Sequence, residues 1–169
     1  VFTPFKRRWL ATLDLPSAAP VAIPPPQGSA RAPGRGPALS LKGAEAAGVP
    51  AELWPGGEEE AHRRLTQFLA EAVLRYDSQR DFPAVTGTST LSPYLSLGVL
   101  SPRQVLGALL SAFPGALEGE GGPSIWLSEL IWREFYRHVV AAFDHVSRGE
   151  AFRPAFADLP WRQDPEGLA

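Results

Sequence analysis

The sequence lacks cysteine and methionine, and it holds only three histidines among its 169 residues. Without cysteine the chain has neither a disulfide nor a thiolate metal site, and the scattered histidines do not have the spacing of metal ligands. We therefore expect no metal site. The absence of methionine, even at position 1, indicates a segment excised from a longer polypeptide.

Long apolar runs are absent too, and none approaches the roughly 20 residues that span a bilayer. The first residues do not have the charged start and apolar centre of a secretory signal. With no cysteine to pair, these absences favour a cytoplasmic protein without membrane contact, and we expect a monomer. The net charge of −2 gives no case for general polyanion binding, so any contact with nucleic acid must be a local patch.

Proline and glycine dominate the first third of the chain. Residues Val1–Leu13 are basic and aromatic, with Pro4 discouraging an early helix, so we expect a connector there. The stretch Leu15–Pro37 is too rich in proline to pack as a helix or strand. We predict an irregular linker over residues 1–57 and a folded domain over residues 58–169.

Helical periodicity dominates the rest. A helix is predicted over residues 58–75, where three glutamates suit the positive end of the helix dipole. Ser101 followed by proline predicts a second helix start, and Pro114 ends that helix. A long helix is predicted over residues 124–146, which contain no Gly or Pro and are apolar on most sides, as in a buried helix. No segment predicts a strand, so the fold class is all-α.

One flank of the long helix combines aromatic and charged side chains. Trp126, Glu129, Arg133 and Tyr136 share this flank at spacings of three and four residues, with Trp132 at its edge. One interpretation is a core helix carrying an ion pair between Glu129 and Arg133. The other is a functional surface built from aromatic planes, a carboxylate and a guanidinium.

A turn rich in hydroxyl groups follows the first of these helices. Residues 88–92, Thr-Ser-Thr-Leu-Ser, present four hydroxyl oxygens and neighbouring amides, which suit phosphate oxygens. Hydroxyl clusters before a proline are more often helix caps and turns. Tyr76 and Arg80 precede this turn. Without a binding role, Tyr76 is the buried end of an amphipathic helix, and Arg80 is a solvated charge beside Asp77 or Asp81.

Two long motifs resemble a known family. The stretch YDSQRDFPAVTGTSTLSPYLSLGVLSPRQ (Tyr76–Gln104), followed by WLSELIWREFYRHV (Trp126–Val139), is similar to the flavin-binding domain of the DNA photolyase and cryptochrome family, closest to its class I cyclobutane pyrimidine dimer photolyases. The start VFTPFKRRW (Val1–Trp9) is similar to the family's entry into the linker behind an N-terminal antenna domain. The resemblance implies that residues 58–169 are the N-terminal half of an all-helical FAD-binding domain.

The resemblance also implies roles for individual residues. FAD would be bound by Tyr76, Thr88, Ser89, Thr90, Leu91, Ser92, Trp126 and Arg133. DNA containing pyrimidine dimers would be bound by Arg80, Glu129, Trp132, Arg133 and Tyr136. Trp161 would be the outermost tryptophan of the electron-transfer chain that reduces the flavin. A second chromophore, of the folate or deazaflavin type, would belong to the antenna domain upstream.

The implied activity is that of a deoxyribodipyrimidine photo-lyase, a light-driven carbon–carbon lyase. Glu129 and Trp132 would be catalytic, since they would meet a dimer that has been flipped out of the duplex. The alternative is a cryptochrome-type blue-light photoreceptor without repair activity, and Glu129 three residues before Trp132 favours repair. A helical interaction module with an accidental likeness is a third interpretation. We expect the segment alone to be inactive and to hold FAD weakly.

Overall fold

The computed structural model describes residues 1–21 and 53–160, and these ranges contain helices and turns but no strand, which confirms the all-α prediction. Their α-helices are α1 (Phe2–Thr12), α2 (Leu15–Ala18), α3 (Glu58–Glu71), α4 (Tyr76–Gln79), α5 (Ser92–Ser96), α6 (Pro102–Ala112) and α7 (Gly122–Ala142). Short 3₁₀ helices cover Val73–Arg75, Pro114–Leu117, Asp144–Arg148 and Pro154–Phe156. The chain divides into two compact units, Val1–Thr12 with Ser128–Ala169, and Leu13–Leu127.

Helix α3 begins where the sequence predicts. Gly57 adopts a φ of 105° before it, and three glutamates occupy its first turn, where the helix dipole favours negative charge. Ala61, Leu65 and Phe68 recur at spacings of four and three and are all buried. Through this apolar stripe, α3 packs against the core of its unit.

The predicted helix over residues 58–75 ends earlier than expected. Ala72 closes α3, the chain tightens into a 3₁₀ turn at Val73–Arg75, and α4 follows as a separate turn. Val73 is completely buried, and its carbonyl oxygen faces the first residue of α7. No Gly or Pro marks this break, so the boundary depends on tertiary packing rather than on local preference.

The expectation that Pro4 discourages an early helix is wrong, because Phe2–Thr12 forms helix α1. Pro4 is the third residue of this helix. A proline there is tolerated because the amide groups of a first turn have no partner inside the helix. The start of the predicted linker is also ordered, since Leu15–Ala18 forms one helical turn and the Arg103 guanidinium donates to the Ser17 carbonyl at 2.9 Å. Residues 22–37 lie outside the described ranges.

Helix α6 confirms the predicted start at Ser101. The Ser101 hydroxyl accepts from the Gln104 amide at 3.1 Å, and the Gln104 side chain accepts from the Ser101 amide at 2.8 Å. This reciprocal capping box satisfies two amides that a helix start leaves without partners. Pro102 then occupies the first helical position, and Pro114 follows the last turn.

Helix α7 covers most of the predicted long helix, with both ends displaced. It begins at Gly122, two residues earlier than predicted, and ends at Ala142 rather than Val146. The chain leaves the helix at Phe143, and a 3₁₀ turn runs to Gly149, whose φ of 81° closes it. An i to i+4 ion pair from Arg148 to Asp144, at 2.8 Å, holds this turn.

Burial along α7 is uneven. Trp126, Leu127 and Ile131 are buried, whereas Tyr136 and Val140 are exposed. The prediction of a helix buried on most sides is therefore wrong for its C-terminal third within this chain.

Helix α1 packs on the part of α7 that shares its unit. Phe2 stacks on Trp132 with ring centroids 3.5 Å apart, and Phe5 meets the edge of Phe135 at 5.3 Å. The Lys6 ammonium group donates to the Ser128 hydroxyl at 2.6 Å. Among the described residues, no helix combines the length and the apolar character that crossing a bilayer requires.

Gly122 generates a prediction about stability. A Cβ added there would lie 1.8 Å from the Val73 carbonyl oxygen and 3.0 Å from the backbone of Leu74, so Gly122→Ala must displace backbone. Gly107, within α6, serves as a matched control, because a Cβ added there would have no neighbouring atom within 4 Å.

We expect Gly122→Ala to lower the free energy of unfolding by about 1–3 kcal/mol. Gly107→Ala should raise it by up to about 1 kcal/mol, since alanine favours a helix interior over glycine. Urea denaturation of both variants measures the two values. Equal effects of the two substitutions would contradict the close packing inferred at Gly122.

Candidate functional site

The hydroxyl turn lines a hollow against one side of α3. This α3 hollow has a volume of about 300 Å³. It is lined by Arg63, Arg64, Gln67, Phe68, Glu71, Ala72, Thr86, Thr88, Ser89 and Thr90. Three hydroxyl groups predicted to bind the cofactor therefore lie together, opposite two guanidinium groups that the sequence prediction did not include.

Thr90 has a backbone conformation that is unusual for its residue type. Its φ is 52°, and it is the one residue other than glycine with a positive φ in the described ranges. A β-branched residue rarely adopts this left-handed region, because its Cβ crowds the backbone. The surrounding contacts must therefore hold the turn in place.

Arg64 supplies such a contact. One of its terminal nitrogens donates to the Thr90 hydroxyl at 3.0 Å, and the other donates to the Leu53 carbonyl at 2.9 Å. Its guanidinium also lies 5.1 Å from the centroid of the Trp54 ring and 5.7 Å from that of Tyr94. Arg64 thereby joins α3 to the hydroxyl turn and to the segment that precedes the helix.

Glu60 holds both arginines from one helical turn away. Its carboxylate accepts from the Nε atoms of Arg63 and Arg64, each at 2.7 Å, and from a second Arg63 nitrogen at 2.7 Å. These charge-assisted hydrogen bonds lower the pKa of Glu60 to about 2, and the bonds from Arg63 have a larger effect than the bond from Arg64. Glu60 thus stays ionised through the acid range in which an ordinary carboxylate becomes protonated.

Gly87 lets the hydroxyl turn approach the preceding helix. A Cβ at Gly87 would lie 2.6 Å from the Cβ of Gln79 and 3.1 Å from its backbone. The Gly87 amide donates to the Val85 carbonyl at 2.8 Å, which tightens the chain just before Thr88. The close approach at Gly87 therefore sets where the hydroxyl groups begin.

Phe68 links the α3 hollow to two more predicted cofactor residues. Its ring meets the edge of Tyr76 at 5.8 Å and lies 4.9 Å from the ring of Trp126, and all three rings are buried. Tyr76 also lies under the Arg80 guanidinium, 5.7 Å from the ring centroid. The Arg80 side chain is partly exposed and approaches the Asp81 carboxylate at 3.7 Å.

Two residues of the hydroxyl turn do not line the α3 hollow. Leu91 is 1% exposed and belongs to the core. Ser92 is exposed and is the first residue of α5. The structure thus brings together Thr88, Ser89 and Thr90 of the five predicted positions.

The predicted lesion-binding residues lie on the other unit's part of α7. Trp132 stacks on Phe2 with an angle of 8° between the rings, and it lies 5.6 Å from Tyr136 at an angle of 22°. Phe135 meets the edge of Trp132 at 5.5 Å. Phe2 thus covers one face of the Trp132 ring, and the Tyr136 ring is also nearly parallel to it.

A second hollow lies further along α7. Arg133, Tyr136, Arg137, Val140 and Ala141 line it, with a volume of about 590 Å³. Tyr136 is 58% exposed, and Glu129 and Arg133 are half-buried. This surface combines an exposed tyrosine with two guanidinium groups, of which Arg137 approaches the Glu134 carboxylate at 3.7 Å.

Trp161, the predicted electron-transfer residue, lies outside the described ranges. Within those ranges, no cluster of His, Asp and Glu has the arrangement of a metal site. Sequence reasoning missed Arg63, Arg64, Phe68 and Phe2. Arg64 contacts the hydroxyl turn at Thr90, 26 residues further along the chain, and no local pattern in the sequence predicts that contact.

Comparison with known proteins finds relatives along nearly the whole chain. It is 41% identical over 167 residues to the deoxyribodipyrimidine photo-lyase of Salmonella typhimurium, covering 98% of this chain and 34% of the relative. Identity to the photo-lyases of Escherichia coli and Vibrio cholerae is 40% and 39%, with 99% and 98% of this chain covered and 35% of each relative. The chain therefore spans about a third of the length of these relatives. No family model matches the sequence.

A solved structure has the same fold. The class III photolyase of Agrobacterium tumefaciens aligns with a TM-score of 0.71 at 27% sequence identity. The alignment covers 99% of this chain and 35% of that protein.

Glu60 generates a prediction about pH. Its pKa is lowered from 4.5 to about 2 in the folded chain, so it stabilises the fold fully above pH 4.5. This contribution is lost as the pH falls from 4.5 through 2. We expect wild type to exceed Glu60→Gln in stability by a constant margin at neutral pH, and this margin to shrink below pH 4.5.

Denaturant titrations from about pH 2 to about pH 7 measure that margin. Glu59→Gln, on the same exposed turn, is the control, because it removes an equal charge outside the pairs with Arg63 and Arg64. A margin between wild type and Glu60→Gln that stays constant across the whole acid range is the result that contradicts the lowered pKa.

Proposed function

This chain belongs to the photolyase family, and from that premise we propose that its protein is a deoxyribodipyrimidine photo-lyase that binds FAD and repairs cyclobutane pyrimidine dimers in DNA. The observation that carries the proposal is the convergence of the family's hydroxyl turn with two guanidinium groups around the α3 hollow. Donors of this kind suit the pyrophosphate of a dinucleotide. A cytoplasmic location and action as a monomer are parts of the same proposal.

The residues around the α3 hollow fit FAD in chemical type. Thr88, Ser89 and Thr90 would donate to its phosphate and ribityl oxygens, and the exposed Ser92 would add further donors. The buried rings of Tyr76 and Trp126 would give apolar surface to the ring systems of the cofactor. FAD, when bound in its reduced form, supplies the electron that splits the dimer under blue light.

DNA would be bound by side chains of two kinds. Arg80, Arg133 and Tyr136 would contact phosphates, which fix the position of the duplex without reading its sequence. Trp132 would stack on a dimer flipped from the duplex, and Glu129 would hydrogen-bond its pyrimidine edge. Trp161 would pass electrons from the protein surface towards the flavin, and an antenna chromophore would belong to another domain.

The complete polypeptide that carries this sequence tests the function directly. We expect it to bind FAD in equal molar amount and to restore dimer-containing DNA under blue light but not in the dark. Glu129→Ala should lower the repair yield with little loss of DNA affinity, because the carboxyl group would act on the reacting base. FAD binding without any repair would favour the photoreceptor alternative and refute the lyase.

Trp132 gives a separate prediction about recognition of damage. Base stacking on an aromatic ring contributes about 1–3 kcal/mol, so Trp132→Ala should weaken binding to dimer-containing DNA by about 5-fold to 150-fold. Binding to undamaged DNA should change much less.

Titration of fluorescent duplexes with and without one dimer measures this difference. Phe143→Ala is the control, since this partly exposed aromatic ring lies just beyond the end of α7. The stacking role is wrong if Trp132→Ala weakens both duplexes equally.

A further inference from the structure

The Arg64 guanidinium has three hydrogen-bond partners, and only Glu60, four residues earlier in α3, is a local one. Its Nε atom donates to Glu60 at 2.7 Å, and its terminal nitrogens donate to Thr90 and to the carbonyl of Leu53. The Arg64 side chain is 15% exposed, and its Glu60 partner is 14% exposed. A guanidinium fixed on three sides in this way has little freedom, so it can act as a rigid support for the turn that it touches.

Thr90 needs such a support. Its φ of 52° lies in the left-handed region, which costs free energy for a β-branched residue. The hydrogen bond from Arg64 to its hydroxyl is a contact in the structure that favours this conformation over a relaxed one. A turn that relaxed would move the hydroxyl groups of Ser89 and Thr90, which both line the α3 hollow.

The bond from Arg64 also sets the direction of the Thr90 hydroxyl. A guanidinium can only donate, so the Thr90 oxygen must accept, and its own proton remains to be donated elsewhere. The positive charge beside the oxygen strengthens that donation. A hydroxyl group held as a donor in this way binds an anionic oxygen more strongly than it binds a water molecule or an amide.

We propose that Arg64 is a positioning residue for the anionic part of the cofactor, because it holds Thr90 in its left-handed conformation and turns the Thr90 hydroxyl into a donor towards a phosphate oxygen. This inference rests on the proposed function, in which the α3 hollow receives the pyrophosphate of FAD. Arg63 lines the same hollow but is bonded to Glu60 and Gln67 and not to the hydroxyl turn.

The experiment compares two flavins in the complete polypeptide. FAD carries a pyrophosphate and riboflavin carries no phosphate, and quenching of flavin fluorescence gives the dissociation constant of each. We expect Arg64→Ala to weaken FAD binding by about 10-fold, as for a lost hydrogen bond to a charged group, and riboflavin binding by less than about 2-fold. Arg64→Lys should recover little, since an ammonium group cannot reach Glu60, Leu53 and Thr90 together.

Arg63→Ala is the matched control. Like Arg64→Ala, it removes one positive charge from the rim of the hollow and one partner from Glu60. Because Arg63 has no bond to Thr90, we expect a smaller loss of FAD affinity than with Arg64→Ala. An equal loss would mean that only net charge matters and would overturn the positioning role. Full recovery by Arg64→Lys would overturn it for the same reason.

A double-mutant cycle tests the link through Thr90. Glycine adopts a positive φ without support and has no hydroxyl, so Arg64→Ala should cost less than about 2-fold in FAD affinity when Thr90→Gly is already present. An Arg64→Ala effect that stays near its full size of about 10-fold in that background would refute the link. Thr90→Val, which keeps the branched shape and removes the hydroxyl, should lose FAD affinity to a similar extent and riboflavin affinity little.

The outcomes separate this inference from the proposed function. A wild-type protein that fails to bind FAD overturns the function, whereas wild-type binding with an unaffected Arg64→Ala overturns only the inference. An equal loss for FAD and riboflavin marks a merely structural role and also overturns it. Circular dichroism checks the fold of each variant, and if Arg64→Ala does not fold, the results with Thr90→Val and Arg64→Lys decide.

Discussion

The ion pair between Glu60 and Arg64 is the interaction on which the arrangement of the α3 hollow depends. A carboxylate on the first turn of α3 fixes a guanidinium one turn later, and that guanidinium reaches the hydroxyl turn and the segment at Leu53. Most ion pairs at a protein surface contribute little, because two flexible side chains lose entropy in forming them. This pair differs because Glu60 serves two arginines and is largely covered, so the geometry is determined by several bonds at once.

Two arginines line the α3 hollow, and both are paired with the same carboxylate. Glu60 neutralises part of the positive charge of Arg63 and Arg64, so the hollow is less cationic than two free arginines would make it. What remains is a set of oriented donors rather than a strong field. Such a set distinguishes ligands by the placement of their oxygens.

The sequence predicts the elements whose signals are local. The capping box at Ser101 and Gln104 and the acidic first turn of α3 confirm their helix starts, because each depends on residues within one turn. Helix α1 was missed, since Pro4 reads as a breaker unless its place in the first turn is known. The break after Ala72 depends on packing against Gly122, which lies far along the chain, and cannot be read from the segment itself.

Prediction of the site divides in the same way. Thr88, Ser89 and Thr90 are predicted together because their motif is contiguous, and all three line the α3 hollow. Their role in binding the cofactor stays a prediction. Arg64 and Phe68 could not be identified, because α3 presents them as ordinary members of an amphipathic helix. Only the fold brings these side chains to the hydroxyl turn and to the rings of Tyr76 and Trp126.

The contact between α1 and α7 has a consequence for synthesis. Lys6 and Ser128 lie 122 residues apart, so α1 leaves the ribosome long before the surface that receives it. At about 5–20 residues per second, this interval lasts roughly 6 to 24 seconds. During that time Phe2 and Phe5 lack the aromatic partners that α7 later supplies.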